Sequence, residues 1–332
     1  MNAIEQTLND LQLGDPISHD GLTVHPLIRA SMLDKDYLTL DEALKRDLAK
    51  VTEVSESGSV PQLLFRNQGD QAVFLLDGEE LVGAKQNRVL NITILAPARK
   101  DTVIPVSCVE AGRWRQDSSD FTSAPRAQFS ASRAKQAARV SENLVASKMA
   151  HSDQAEVWED IDLKMSRLQS QSDTSAVEKV FEDHEKVLDQ FVEQLACVEG
   201  QVGAVFSIRG LLSGMELFDT AETCRLLMPK LIRSYALDAI DPGYRGNPNS
   251  GVATPIEVIE LITKSKFTRH KALGEGFDLR FDSTPNIAGG ALFARDRIVH
   301  LCVFVSVDGQ CVGDGSPYQS SSSLRRQFRR AA

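Results

Sequence analysis

The stretch that most constrains this chain is residues 73–115, VFLLDGEELVGAKQNRVLNITILAPARKDTVIPVSCVEAGRWR. Apolar, β-branched runs stand at 73–76, 81–82, 89–95 and 103–109. The links between them are too short for parallel crossovers, so the runs are expected to pair antiparallel as a meander. Asp77-Gly78 can supply the two positive-φ residues of a type I′ turn, joining 73–76 to 81–82. In 89–95, Val89, Asn91, Thr93 and Leu95 alternate with Leu90, Ile92 and Ile94, which gives one dry face and one partly polar face.

Helical patterns flank this stretch. Residues 1–13 place Ile4, Leu8 and Leu11 on one stripe, and Asp15-Pro16 ends the pattern. Residues 22–28 read as a strand. Thr39 and Glu42 form a capping box before a helical pattern reaching Val51. Residues 116–132 are rich in Ser, Asp, Thr and Arg and read as a long polar loop. Helices are expected at 134–149, from Asp153 to about 168, and along the apolar seam 177–195, which contains His184 and suits a hairpin with the helix before it. A strand at 202–208 and a helix from Thr220 to Ile240 follow; Pro229 inside that helix predicts a kink or break. Thr254-Pro255 opens a further helix in the favoured cap-then-Pro order. Four β-type runs at 267–272, 276–281, 289–294 and 298–307 close the ordered part, with a turn at Asp308-Gly309. The predicted fold class is α+β: a mostly antiparallel β-meander over 15–112, a central helical segment over 133–198, a second αβ part over 200–310, and a disordered tail over 313–332.

With 332 residues the chain can bury a large core without disulfides or metals. The five cysteines are far apart, odd in number and free of any C-x-x-C, which argues against a disulfide framework. Neither a signal-like nor a membrane-length apolar run is present, so a reduced, cytoplasmic protein without membrane contact is expected. A net charge of −9 disfavours nucleic acid as a partner of the whole molecule without excluding it. The charge is uneven, however. Residues 113–139 carry six Arg/Lys against two Asp, with Trp114, Phe121 and Phe129 interleaved, a mixture that can contact a nucleotide or simply solvate a loop. The tail 324–330, LRRQFRR, reads either as a partner-binding segment or as a plain disordered end.

Two polar clusters carry the candidate chemistry. In the first, Glu79 and Glu80 can act as acid or base, Lys85 and Arg88 can bind phosphate or carboxylate, and Gln86 and Asn87 can read a polar ligand. The bland alternative is a hairpin turn at Asp77-Gly78 and an exposed connector. In the second, Cys108 and Glu110 lie two apart and share a strand face, followed by Arg113 and Trp114. Cys108 is either a nucleophile or a small buried hydrophobe, and Glu110 has the wrong charge to favour its thiolate. The six histidines show no ligand spacing, so no metal site is expected, and no Walker loop, G-x-G-x-x-G or G-x-S-x-G occurs. No cofactor is indicated.

The strings LLDGEELVGAKQNRVLN, ILAPA, IPVSCVEAGRW, the Asp153-Gln154…Val157-Trp158 helix start and GQVGAVFSI together resemble the domain family called ARG and rhodanese-phosphatase-superfamily-associated protein, from about residue 15 to 306. The resemblance implies a domain without an established reaction, named for its association with other enzyme domains in prokaryotes. It points to Glu79, Glu80, Lys85, Gln86, Asn87, Arg88, Cys108, Glu110, Arg113 and Trp114 as the positions of interest. Three functions stay open: a ligand-binding or accessory module for a small anionic or nucleotide-like ligand; a hydrolase or transferase using Glu79, Glu80 or Glu110 with Lys85 or Arg88; and a structural assembly protein with a protein partner.

Overall fold

The structure is a computed structural model, and it describes residues 3–31, 33–55, 61–113, 118, 120–246, 251–281 and 287–305. The expected 313–332 tail, the Asp308-Gly309 turn and Trp114 lie outside the described residues. The fold is α+β with mostly antiparallel sheets. No helix is long and apolar enough to cross a membrane.

The largest sheet is antiparallel throughout and runs Leu11–Leu13, Leu22–Arg29, Gln201–Ile208, Leu211–Phe218, Arg297–Val305, Ile287–Ala294, Phe277–Phe281, Phe267–Lys271, with Ile17–His19 beside Leu22–Arg29. The Leu22–Arg29 strand, expected within a 15–112 unit, therefore pairs with Gln201–Ile208 from the 200–310 part. Its neighbours in sequence, Leu11–Leu13 and Ile17–His19, pair along one edge of that strand, and the far-off apolar strand Gln201–Ile208 takes the other. One face of this sheet is covered by the helices Ala3–Asn9 and Pro255–Lys264, whose Ile4, Leu8, Val258 and Ile262 are buried against it. The other face packs on the helix Ala221–Ile240 and the N-terminal strands.

The 73–115 stretch does not fold as a simple meander. Its strands divide between a six-stranded sheet, ordered Phe121–Ala127, Glu79–Gly83, Arg88–Leu90, Lys100–Cys108, Gln62–Asn67, Ala49–Glu53, and a three-stranded one, Ile94–Ala96, Val73–Leu75, Leu38–Thr39. Leu38–Thr39 and Val73–Leu75 run parallel. Val73–Leu75 pairs with Ile94–Ala96 rather than with Glu79–Gly83, so Asp77-Gly78 is not a hairpin turn. Only Gly78 has the positive φ (+76°) that a type I′ turn needs at both positions. The expected single strand 89–95 is likewise two strands in two sheets. The expected loop 116–132 holds the strand Phe121–Ala127, which pairs with Glu79–Gly83.

Local capping signals fare better. Thr39 and Glu42 close a capping box on Leu40–Lys45, though the helix ends there and Ala49–Glu53 is a strand. Thr254 and Glu257 close another, with Pro255 in the first turn. Asp153 accepts from the amides of Ala155 and Glu156. The 177–195 seam is two helices, Val177–Asp183 and Glu185–Gln194, broken at His184 (φ −112°). The second of them packs on Ala221–Ile240 rather than back on Gln154–Arg167. Ala221–Ile240 runs unbroken through Pro229. Lying between Gln201–Ile208 and Phe121–Ala127, it buries Leu227, Met228, Leu231, Ile232, Tyr235 and Leu237. At about 1.5–3 kcal/mol per large apolar side chain this outweighs the roughly 3 kcal/mol that an interior proline costs.

Candidate functional site

The two strings singled out by sequence do face each other. Cys108 pairs with Arg88 across the Lys100–Cys108 and Arg88–Leu90 strands. Beyond it, Glu110 Oε2 accepts from the Asn87 amide (3.2 Å) and Arg113 Nε (2.9 Å), and Oε1 from Thr174 Oγ1 (2.9 Å). Arg113 Nη2 donates to Asn87 Oδ1 (3.1 Å), and Asn87 Nδ2 to Glu178 Oε2 (2.9 Å). Arg126 Nη2 donates to the other oxygen of Glu178 (3.1 Å), while its Nε donates to Glu80 Oε2 (2.5 Å). Glu80, Asn87 and Glu110 are all buried. The expected exposed connector thus borders an interior ion-pair network, in which Glu110 meets Arg113 close by in the chain and Arg126, from a separate strand, meets both Glu80 and Glu178.

The carboxylates divide: Glu80 lies close enough to Glu110 and Glu178 to feel their charge, whereas Glu79 is turned elsewhere. Glu79 leaves its strand on the opposite side from Glu80 and accepts from Lys230 Nζ (2.5 Å) and Ser123 Oγ (3.0 Å) on Oε1. Burial pushes the Glu80 carboxyl up, against the pull of Arg126. Arg88 is buried and donates from Nη1 to Gln86 O (3.1 Å) and Gln86 Oε1 (3.2 Å). Lys85 is half-buried. Cys108 is buried, and burial raises its thiol to about 11, the wrong direction for a nucleophile. Its backbone is held by Gln154, which donates to its carbonyl and accepts from its amide, both at 2.7 Å. Of the residues expected in a hydrolase or transferase arrangement, Glu80 lies near Glu110 and Glu110 near Arg88, while Glu79 lies apart beside Lys230.

A second buried cluster, absent from the sequence-derived set, sits where the N-terminal strands meet the large sheet. Alternation along Leu211–Phe218 and Arg297–Val305 turns Glu216, His300 and Cys302 to one face, with Glu216 opposite Cys302 and Phe218 opposite His300. Two strands further on, Phe277–Phe281 adds Arg280 and Asp278, which form a two-point pair (2.8 and 2.9 Å). From the other side come Asp77, Thr93 and, on the helix Ser130–Ser147, Arg133. Arg133 bridges the halves, donating to Glu216 Oε1 (2.7 Å) and Asp77 Oδ2 (3.1 Å). Gly78 makes room for it: a Cβ there would lie 2.6 Å from Arg133 Cδ.

His300 is held on both nitrogens, with Nε2 3.1 Å from Glu216 Oε2 and Nδ1 2.9 Å from Thr93 Oγ1. Its ring stacks on Phe218. Thr93 Oγ1 in turn donates to Asp77 Oδ1 (3.0 Å). Burial would raise the Asp77 carboxyl, yet Arg133, His300 and the Thr93 hydrogen bond together hold it below the usual carboxylate range. Asp77, His300 and Cys302 place one donor atom each within 4.8 Å of one another. They border a small pocket of ≈ 20 Å³, room for about one water. The sequence signal was modest: His300-x-Cys302 on a β-run shares one strand face, whereas Asp77 was indistinguishable from a turn residue.

Asp278 also lines a larger pocket of ≈ 210 Å³. Its walls include Ile92, Leu144, Val103, Met149 and Leu273, the last three exposed hydrophobics. Lys148, His151 and Lys271 lie around it, and both lysines are exposed. Among the described residues neither Lys148 nor Lys271 has an acidic partner.

Compared with known proteins, the chain matches the family model described as ARG and Rhodanese-Phosphatase-superfamily-associated Protein domain over residues 10–304. No curated protein and no solved structure matches.

Proposed function

We propose that this chain, which belongs to the ARG and Rhodanese-Phosphatase-superfamily-associated Protein domain family, is an accessory module that binds a small anionic ligand with an apolar body. The observation that carries the reading is the ≈ 210 Å³ pocket with hydrophobic walls and two exposed lysines. Apolar walls supply burial and a few polar groups set orientation, as is usual for small-molecule sites. Asp278 is already neutralised by Arg280, so it does not cancel Lys148 and Lys271. The family's description is an association with rhodanese-phosphatase-superfamily proteins, which fits an accessory role. In this reading Glu80, Asn87, Glu110 and Arg113 brace the scaffold and do not touch the ligand.

A thermal-shift screen of nucleoside monophosphates, aryl carboxylates and inorganic phosphate tests it. A ligand at a hundred times its Kd adds about 2.7 kcal/mol to stability. At about 2.1 cal/mol/K per residue that raises Tm by about 4 °C for a chain of this length. The rise is expected for at least one amphipathic anion, to exceed that for phosphate, and to vanish in Lys148→Glu/Lys271→Glu. An equal rise in the double variant, or no rise with any anion, sinks the reading.

A further inference from the structure

We infer that Asp77, His300 and Cys302 form a site for one divalent transition-metal ion, zinc being the best match to the donor set. The three residues offer a carboxylate oxygen, an imidazole nitrogen and a sulfur, a mixed set that suits Zn²⁺ and leaves a fourth position open. His300 Nδ1 is 3.8 Å from Asp77 Oδ1, and Cys302 Sγ is 3.9 Å from Asp77 Oδ2. Three donor atoms within 4.8 Å of one another leave a central ion at most about 2.8 Å from each, against about 2.0–2.3 Å for bound zinc. Side-chain shifts of about half an ångström close the difference.

Two observations separate this cluster from a chance meeting of polar groups. The first is the support behind it. Glu216 Oε2 sits 3.1 Å from His300 Nε2, so that nitrogen can carry the ring proton, while Nδ1, 2.9 Å from Thr93 Oγ1, is the nitrogen turned toward Asp77. A carboxylate behind a ligating histidine is the usual way its tautomer and tilt are set. The second is space: the ≈ 20 Å³ pocket lined by the same three residues accepts one water, the expected fourth ligand.

Charge balance is also met. Binding displaces the Cys302 thiol proton and any proton on His300 Nδ1 to solvent. The thiolate, Asp77 and Glu216 then carry three negative charges against the metal's two and the one on Arg133. Arg133 lies 3.1 Å from Asp77 Oδ2, so it would repel an ion were it not paired to Glu216 at 2.7 Å. The site is buried, so no exposed acidic surface is involved.

The test uses the full chain and the metal alone, and so is independent of any ligand in the larger pocket. After chelator treatment, Co²⁺ is titrated in as a spectroscopic substitute for Zn²⁺. One Co²⁺ per chain is expected, with a near-ultraviolet thiolate-to-metal band and visible bands of a tetrahedral site. Equimolar Zn²⁺ should displace it. Cys302→Ser should abolish the near-ultraviolet band, and Asp77→Asn should weaken binding at least tenfold. Glu216→Gln keeps all three ligands and should weaken it about 10–100-fold. Cys197→Ser, at the half-buried thiol elsewhere, should leave the spectrum unchanged. A folded wild type that gives no band overturns the inference, as does a band that survives Cys302→Ser or disappears with Cys197→Ser.

Discussion

Replacing Arg133 by Met tests whether the seam between the two halves is held by charge. Arg133 is fully buried, bonded to both Glu216 and Asp77, and lies over the Phe304 ring at 5.2 Å. Met keeps most of the aliphatic volume and removes the cation, so two buried carboxylates lose the one group that bonds them both. Removing one member of a buried ion pair costs about 3–5 kcal/mol. At about 2.1 cal/mol/K per residue, Tm should fall by about 4–7 °C. Urea unfolding followed by circular dichroism gives the free energy, provided the slope with denaturant is unchanged. The informative variant is the double one, Arg133→Met with Glu216→Gln, which removes both charges and leaves Asp77 facing His300. Its loss should be smaller than the sum of the two single losses by about 1 kcal/mol or more, as expected for groups in one network. A single-variant loss below about 1 kcal/mol, or strict additivity, would refute the argument that these charges act together.

Burial raises the Asp160 carboxyl to about 6, only partly offset by Lys135. Because the folded value lies above the unfolded one, the associated stability is complete below about pH 4 and is lost as pH rises through 6, a change of the order of 3 kcal/mol. Asp160→Asn should therefore be more stable than wild type at pH 7 and equal to it at pH 4; the same difference at both values, by urea unfolding, would contradict this. Cys108, with its thiol raised to about 11, should be alkylated by iodoacetamide at pH 8 more than about a hundredfold more slowly than in the unfolded chain. Peptide mapping that finds it modified as fast as Cys197 would show that it is neither buried nor raised.

What the sequence made legible was what neighbouring residues decide. Thr39 with Glu42, Asp153, Thr220 and Thr254-Pro255 all start helices where their spacing says. The last four β-runs fall close to their expected places. Strand partners were not legible. Nothing local to Leu22–Arg29 says that it pairs across almost two hundred residues, and nothing local to Val73–Leu75 says that it prefers Ile94–Ala96 to the strand four residues on. The same limit hid the site. Lys85–Arg88 reads as a solvated connector until Glu110, Glu178 and Arg126 are brought to it, and Asp77 reads as a turn until Arg133 and His300 arrive. Polar residues look exposed in a sequence because their partners are elsewhere in it.

The two buried networks are not equivalent, and the difference bears on which of them does something. Burying a charge pair is a poor way to gain stability, since well-packed apolar side chains of similar size often do as well or better. In the set running from Glu110 through Asn87 and Glu178 to Glu80, Arg113 bonds Glu110, Arg126 bonds both Glu178 and Glu80, and Asn87 ties the two groups together. Such a set can fix how strands and helices meet and needs no ligand to explain it. The set around His300 also fixes the seam, through Arg133, but it contains more than that task requires. A thiol and an imidazole are turned toward the same carboxylate beside a water-sized space, and a second carboxylate stands behind the imidazole. Two arginine–carboxylate contacts would hold the seam without either His300 or Cys302. The surplus donors, and not the ion pairs, are what a purely structural role leaves unexplained.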